Sequence, residues 1–187
     1  MTITLCNGKG GSGKTTLTIL PGYALSMAGH EVAIHDCDPQ RTASRWIEET
    51  GGLNLVRPGR SYSAILIDTP PRLDSPEFMD AVRRSEIIGV VSSPSPADLF
   101  TSRDTVAVLE KLGAKERSRL VFNQVQPKTI LSRDLDEFAE RIGLLPLKNR
   151  LQRRQSYQHA VLMGWACLGK EASEEVLKLA LEITALA

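Results

Sequence analysis

Along the chain, short aliphatic and β-branched runs alternate with longer stretches in which apolar residues recur at helical spacing. The runs Ile3–Cys6, Val32–His35, Leu53–Val56, Ala64–Ile67, Ile87–Val91 and Leu120–Phe122 predict strands, and Leu144–Leu147 predicts a weaker seventh. Several are almost wholly apolar, as strands buried on both faces should be. Helices are predicted over Thr15–Ala28, Thr42–Glu49, Ala97–Leu112, Leu135–Ile142 and Ser173–Leu186. Glycines follow the first four as stop signals, and Ser132 precedes Leu135 as a candidate cap. Pro21 lies inside the first helix and predicts a kink or a lost hydrogen bond there. Alternation of this kind builds an α/β fold: a mostly parallel twisted sheet of about seven strands with helices on both faces.

The connection after the first strand carries the clearest chemistry. Gly8-Lys9-Gly10-Gly11-Ser12-Gly13-Lys14-Thr15-Thr16 contains G-x-x-x-x-G-K-[ST] between a predicted strand and a predicted helix, the pattern of a P-loop NTPase. Glycines let the backbone turn its N–H groups toward phosphate oxygens, and the helix N-terminus adds partial positive charge. Lys14 is placed to reach the β- and γ-phosphates, and the Thr15 hydroxyl to join a Mg²⁺ shell. An incidental glycine-rich turn is the competing interpretation, and the flanking strand and helix weigh against it.

Two acidic motifs follow. Asp36-Cys37-Asp38-Pro39-Gln40 comes after the second strand, at the edge where open α/β sheets bind ligands. Because extended side chains alternate, Asp36 and Asp38 can share a side. Ala64–Ile67 leads into Asp68, the form of a Walker B strand whose aspartate holds Mg²⁺ through water. Asn123, after the sixth strand, is a candidate contact for the base, with a plain polar turn as the alternative. His30, His35 and His159 have no metal-ligand spacing.

K-G-G-x-G-K-T-T, D-x-D-P-Q and the Asp68-Thr69-Pro70-Pro71 ending together resemble the deviant Walker A ATPases of the ParA/MinD family, most of all its small ParF-like partition proteins. Ser12 stands where that family commonly has valine. The resemblance implies ATP and Mg²⁺ as cofactors and a slow intrinsic ATPase that forms a homodimer on ATP binding. It implies that Lys9 reaches across the dimer to the partner's ATP, that Asp36 organises the loop and Mg²⁺ shell, and that Asp38 positions the attacking water. It further implies non-specific DNA binding and hydrolysis stimulated by a ParB-like or other adaptor protein, so that DNA or other cargo is segregated or positioned. Alternatives are a small-molecule ATPase or ligase of the P-loop class, and a positioning ATPase that does not bind DNA.

Composition narrows this a little. The 187 residues, 42% hydrophobic and 24% charged, suit one P-loop ATPase domain. The net charge of +1 leaves any DNA surface to local clustering, and Lys148, Arg150, Arg153 and Arg154 supply a run of four cations without an acid. A solvated charged loop is the plainer interpretation of that run. Cys6, Cys37 and Cys167 lack paired spacing, which disfavours an iron–sulfur carrier and fits reduced thiols. With no signal-peptide pattern, no membrane-length apolar run and an acidic last helix, the expectation is a cytoplasmic protein without membrane attachment, nucleoid-associated when ATP-bound.

Overall fold

A computed structural model describes residues 1–186, with Val161 described by its backbone alone. Strands β1 (Thr2–Cys6), β2 (Val32–Asp36), β3 (Asn54–Leu55), β4 (Ala64–Asp68), β5 (Ile87–Ser92) and β6 (Ser118–Phe122) pair in parallel in the order β3-β2-β4-β1-β5-β6. The helices are α1 (Lys14–Met27), α2 (Thr42–Thr50), α3 (Pro76–Arg84), α4 (Pro96–Lys111), α5 (Ile130–Arg133), α6 (Leu135–Ile142), α7 (Gln155–Met163) and α8 (Lys170–Thr184).

Register explains why the functional residues meet. Leu5 of β1 stands opposite Asp68 of β4, and Asp36 of β2 stands opposite the same Asp68. The loop that follows β1 therefore emerges between the ends of β4 and β5, with the two aspartates side by side at one edge. Alternation along β1 divides the core. Ile3 and Leu5 pack toward α1, α2, α7 and α8, whereas Cys6 joins Phe78, Val82 and Leu109 from α3 and α4. Thr4, fully buried on that second side, shares a 2.6 Å hydrogen bond with the Ser85 hydroxyl.

Several expectations are revised. Six strands are present among the described residues rather than about seven. Leu144–Leu147 runs beside β6, with Leu120 N donating to Leu145 O and Leu147 N to Leu120 O, but it makes a single bridge at Pro146. The pairing is then interrupted where the backbone N–H groups of Lys148 and Asn149 donate to the Glu182 carboxylate, and it resumes only with Leu151 N donating to Phe122 O. α1 runs through Pro21 as one helix. Ser132 does not cap α6; it belongs to α5, where it shares a capping box with Thr129.

Three helices, the one-turn α5 together with α3 and α7, had no counterpart in the predicted pattern. α3 begins at Ser75-Pro76, where the Ser75 hydroxyl accepts from Phe78 N and proline occupies the first turn. Its buried face is Phe78, Ala81 and Val82. α7 is short, and its helical spacing of Tyr157 and Ala160 is hidden behind the cationic run.

Phe78 is fully buried on α3, so Phe78→Ala is expected to cost about 3–5 kcal/mol through lost burial and the cavity left behind. Urea denaturation followed by circular dichroism measures this, and a loss below about 1 kcal/mol would mean that α3 is not core.

Candidate functional site

The loop between β1 and α1 is shaped by glycine. Gly11 and Gly13 have φ of 78° and 93°, in the left-handed region that other residues enter at a cost. Its start is braced by Asn7, which is fully buried: Nδ2 donates to Val91 O at 2.6 Å, and Oδ1 accepts from Lys9 N at 2.9 Å. At its end Lys14 is buried, and Nζ donates to the Lys9 carbonyl at 2.9 Å. Burial lowers the Lys14 pKa, opposed by the neighbouring Asp68.

Asp68 has no solvent exposure. Its Oδ2 accepts from Thr15 Oγ1 at 2.7 Å, while Oδ1 is buried with no partner. Burial pushes its carboxyl up to about 7, only partly offset by Thr15 and Lys14. The Ser12 hydroxyl, in the loop between β1 and α1, is likewise buried without a partner. Two orphaned oxygens, one at the end of β4 and one in the loop beside it, are costly at about 1–3 kcal/mol each, and a phosphate–metal group bound by this loop would supply partners. The hard oxygen donors of Thr15 and Asp68 fit Mg²⁺.

Asp36 is held firmly. Its Oδ2 accepts from Ser44 N and Ser44 Oγ, both at 2.8 Å, and its Oδ1 accepts from Asp38 N at 3.1 Å. Asp38 lies beyond the strand, with Oδ1 accepting from Gln40 N at 2.9 Å. Both are half-buried and close enough for the charge of each to act on Asp68.

Asn123 is buried against the loop itself. Its Nδ2 donates to Ser12 O at 3.0 Å, and a Cβ on Gly13 would stand 2.1 Å from that nitrogen. Beside it Gln124, at φ 56°, donates to Gly11 O at 3.4 Å. A polar cleft opens alongside, lined by Gly13, Thr16, Asn123, Gln152, Arg153 and Tyr157. Asn123 thus borders the cleft while its amide props the loop.

Lys9 turns back into its own chain, where its ammonium pairs with Asp98 Oδ1 on the first turn of α4. The Asp98 side chain is almost wholly buried and Lys9 is 40% exposed. Burial pushes the Asp98 carboxyl up, but the Lys9 ammonium and the Ser93 hydroxyl and N–H outweigh it and hold the group below the usual carboxylate range. Sequence reading missed Asp98, although Ser95-Pro96-Ala97-Asp98 has capping-box form.

The cationic run divides. Arg154 is engaged by Glu175 at 2.6 Å and Glu171 at 3.4 Å, so it is not an open phosphate ligand. Lys148, Arg150 and Arg153 are exposed and form no ion pair among the described residues. Among those residues no helix is long and apolar enough to cross a membrane. Burial pushes the Cys6 thiol up to about 12 and the Cys37 thiol to about 11, so neither is a thiolate at neutral pH.

Residues 3–162 match the CobQ/CobB/MinD/ParA nucleotide binding domain family. The chain is 27% identical over 209 residues to maintenance of carboxysome distribution protein A of Halothiobacillus neapolitanus, covering 97% of this chain and 95% of the relative. Its fold is shared with a Borrelia burgdorferi protein assigned to plasmid partition and bound to AMPPNP (TM-score 0.79, 16% identity, 98% of each chain). It is shared too with Pyrococcus horikoshii MinD bound to Mg-ADP (TM-score 0.76, 20% identity, 100% of this chain and 97% of that one).

Gly13→Ala places a methyl group into the Asn123 amide and strains a left-handed residue by about 1–2 kcal/mol. It should abolish nucleotide binding in calorimetry, and adding Asn123→Ala should recover part of the lost thermal stability. If the double variant is no more stable than Gly13→Ala alone, the contact between Asn123 and the loop is not the strained one.

Proposed function

Since this chain belongs to the CobQ/CobB/MinD/ParA nucleotide-binding family, we propose that it is an ATPase that dimerises on binding ATP and Mg²⁺ and uses the cycle to position cargo on DNA. The observation that carries this reading is Asp68: a buried carboxylate bonded to Thr15, beside Lys14, with one oxygen left unpartnered. Such a group suits a metal–phosphate complex better than it suits packing.

The residues divide the work. The backbone from Gly8 to Thr16 cradles the phosphates, with Lys14 on the β- and γ-phosphates. Thr15 and Asp68 would hold Mg²⁺, which when bound would neutralise charge developing on the phosphates. Asp36, fixed by Ser44, keeps the loop and its water shell in place. Asp38 orients the water whose oxygen attacks the γ-phosphorus as the bond to the bridging oxygen breaks, leaving ADP and phosphate. The base rests in the cleft beside Asn123. Lys9 leaves Asp98 to reach the nucleotide of a second copy, so its pairing in the single chain is the resting arrangement.

The relative named for carboxysome distribution supports cargo positioning over small-molecule chemistry. Lys148, Arg150 and Arg153 are the cations available to DNA, and a ParB-like or other adaptor would trigger hydrolysis. A second reading, positioning without DNA, is favoured by one observation: acids of α8 occupy Arg154 and the backbone at Lys148.

Two outcomes are expected. Lys14→Ala should remove ATP-dependent dimerisation in light scattering, whereas Asp38→Ala should keep the ATP dimer and lower turnover by about 10²-fold or more; normal turnover would remove Asp38 from its role. Binding to a non-specific duplex should require ATP, be absent with ADP or no nucleotide, and fall by about 10³-fold between roughly 50 and 200 mM salt if two copies together neutralise about six phosphates. Absence of binding in every state would leave the second reading in its place.

A further inference from the structure

The base-side wall of the cleft is built from an irregular segment, residues 148–154, of which Gln152, Arg153 and Arg154 line the cleft. β6 and the residues just after it hold this segment through three backbone hydrogen bonds, Leu151 N to Phe122 O, Val125 N to Leu151 O and Arg153 N to Val125 O. Lys148, Asn149, Gln152 and Arg154 are held from the other side, by α8.

Two carboxylates do this. Glu182 accepts from Lys148 N, Asn149 N and Asn149 Nδ2, each at 2.7 Å. Glu175 accepts from Arg154 Nη2 at 2.6 Å, Arg154 Nε at 3.2 Å, Tyr157 OH at 2.7 Å and Gln152 N at 3.3 Å. They stand about two helical turns apart, on one face of α8. An adjoining face of the same helix, with Val176, Leu179, Ala180 and Ile183, is buried in the core with Leu17, Leu20 and Ala24 of α1. α1 begins at Lys14 and Thr15. One helix thus backs the phosphate-binding element and grips the opposite wall, and it lies beyond the residues matched to the family.

We propose that Glu175 and Glu182 are positioning residues that fix the base-side wall, making α8 the strap that sets its distance from the phosphate loop. The proposal rests on the nucleotide reading of the cleft. Burial pushes the Glu175 carboxyl up, but Arg154 and Tyr157 outweigh it and hold the group below its ordinary range, so it stays charged. An isosteric amide is a poor replacement. Every partner of Glu182 is an N–H donor, so a glutamine NH₂ would face at least one of them without an acceptor between.

The test uses the full chain and calorimetric titration with Mg²⁺ and either ATP or inorganic tripolyphosphate, which lacks the base. Glu175→Gln and Glu182→Gln should each weaken ATP by about 10- to 100-fold, the worth of hydrogen bonds to a charged group, while tripolyphosphate stays within about twofold. Without nucleotide, trypsin should cut after Arg150 and Arg153 faster in both variants than in wild type or in Glu174→Gln, an exposed neighbour. Tyr157→Phe, which removes one donor and keeps the ring, should show a smaller loss of the same selectivity and serves if Glu175→Gln does not fold. Unchanged ATP affinity in the glutamine variants, or equal loss of both ligands, overturns the proposal. Wild-type protein that binds neither ligand overturns the nucleotide reading itself, a distinct result.

Discussion

The carboxylate of Asp68 is removed from water at the end of β4, and the surrounding architecture follows from what a buried charge demands. Burying an ion costs several kcal/mol unless partners replace its hydration. The parallel register provides them by bringing three strand ends together, so that Thr15 donates directly and Lys14 lies near enough to favour the charged form. Those partners are insufficient: the group still titrates up to about 7, and one oxygen lacks a donor. Apolar packing alone would not retain such a residue, since an isosteric hydrophobe would be cheaper. A ligand bringing its own cation removes the deficit, which ties the site's chemistry to an instability in the free protein.

A second buried carboxylate, Asp98, is resolved differently. It receives the Lys9 ammonium together with the Ser93 hydroxyl and N–H, so it is satisfied without a ligand. Its partner is nevertheless a partly exposed residue of the phosphate loop. Drawing Lys9 away strips Asp98 of its cation and leaves the buried carboxylate to the Ser93 donors alone, at a cost in free energy. Any state in which Lys9 serves another copy must offset that cost with the charge of the nucleotide it reaches. On the proposed function, Asp98 would thus set a threshold favouring the single chain until triphosphate is present.

Much of this was legible in the sequence, and the failures share a cause. The strand–loop–helix around Lys14, the aspartate at the end of Ala64–Ile67 and five of the eight helices follow from local periodicity and turn chemistry. α3 was legible in principle, because Ser75-Pro76 marks a helix start and Phe78, Ala81 and Val82 share a face. The seventh strand failed for a non-local reason: the apolar run is real, yet Glu182, thirty-odd residues later, takes the backbone N–H groups of Lys148 and Asn149 and interrupts the pairing with β6. The same helix overturned the reading of Arg154. No spacing rule links Arg154 to Glu175 or Lys9 to Asp98, since those pairs exist only once the layers have packed.

The cationic run shows how such pairs alter function as well as structure. Read locally, four cations without an acid form a phosphate-binding stretch. In the fold, acids of α8 stand against it, and a chain of net charge +1 has little long-range field to contribute. Attraction to a polyanion must then come from Lys148, Arg150 and Arg153, which lie on or beside the segment that walls the cleft. A ligand that settles this wall also settles the spacing of those three cations, whereas a loose wall would spend part of any DNA contact on ordering it. On the proposed function, nucleotide occupancy and polyanion affinity would be coupled through this one short segment, whose backbone the acids of α8 hold.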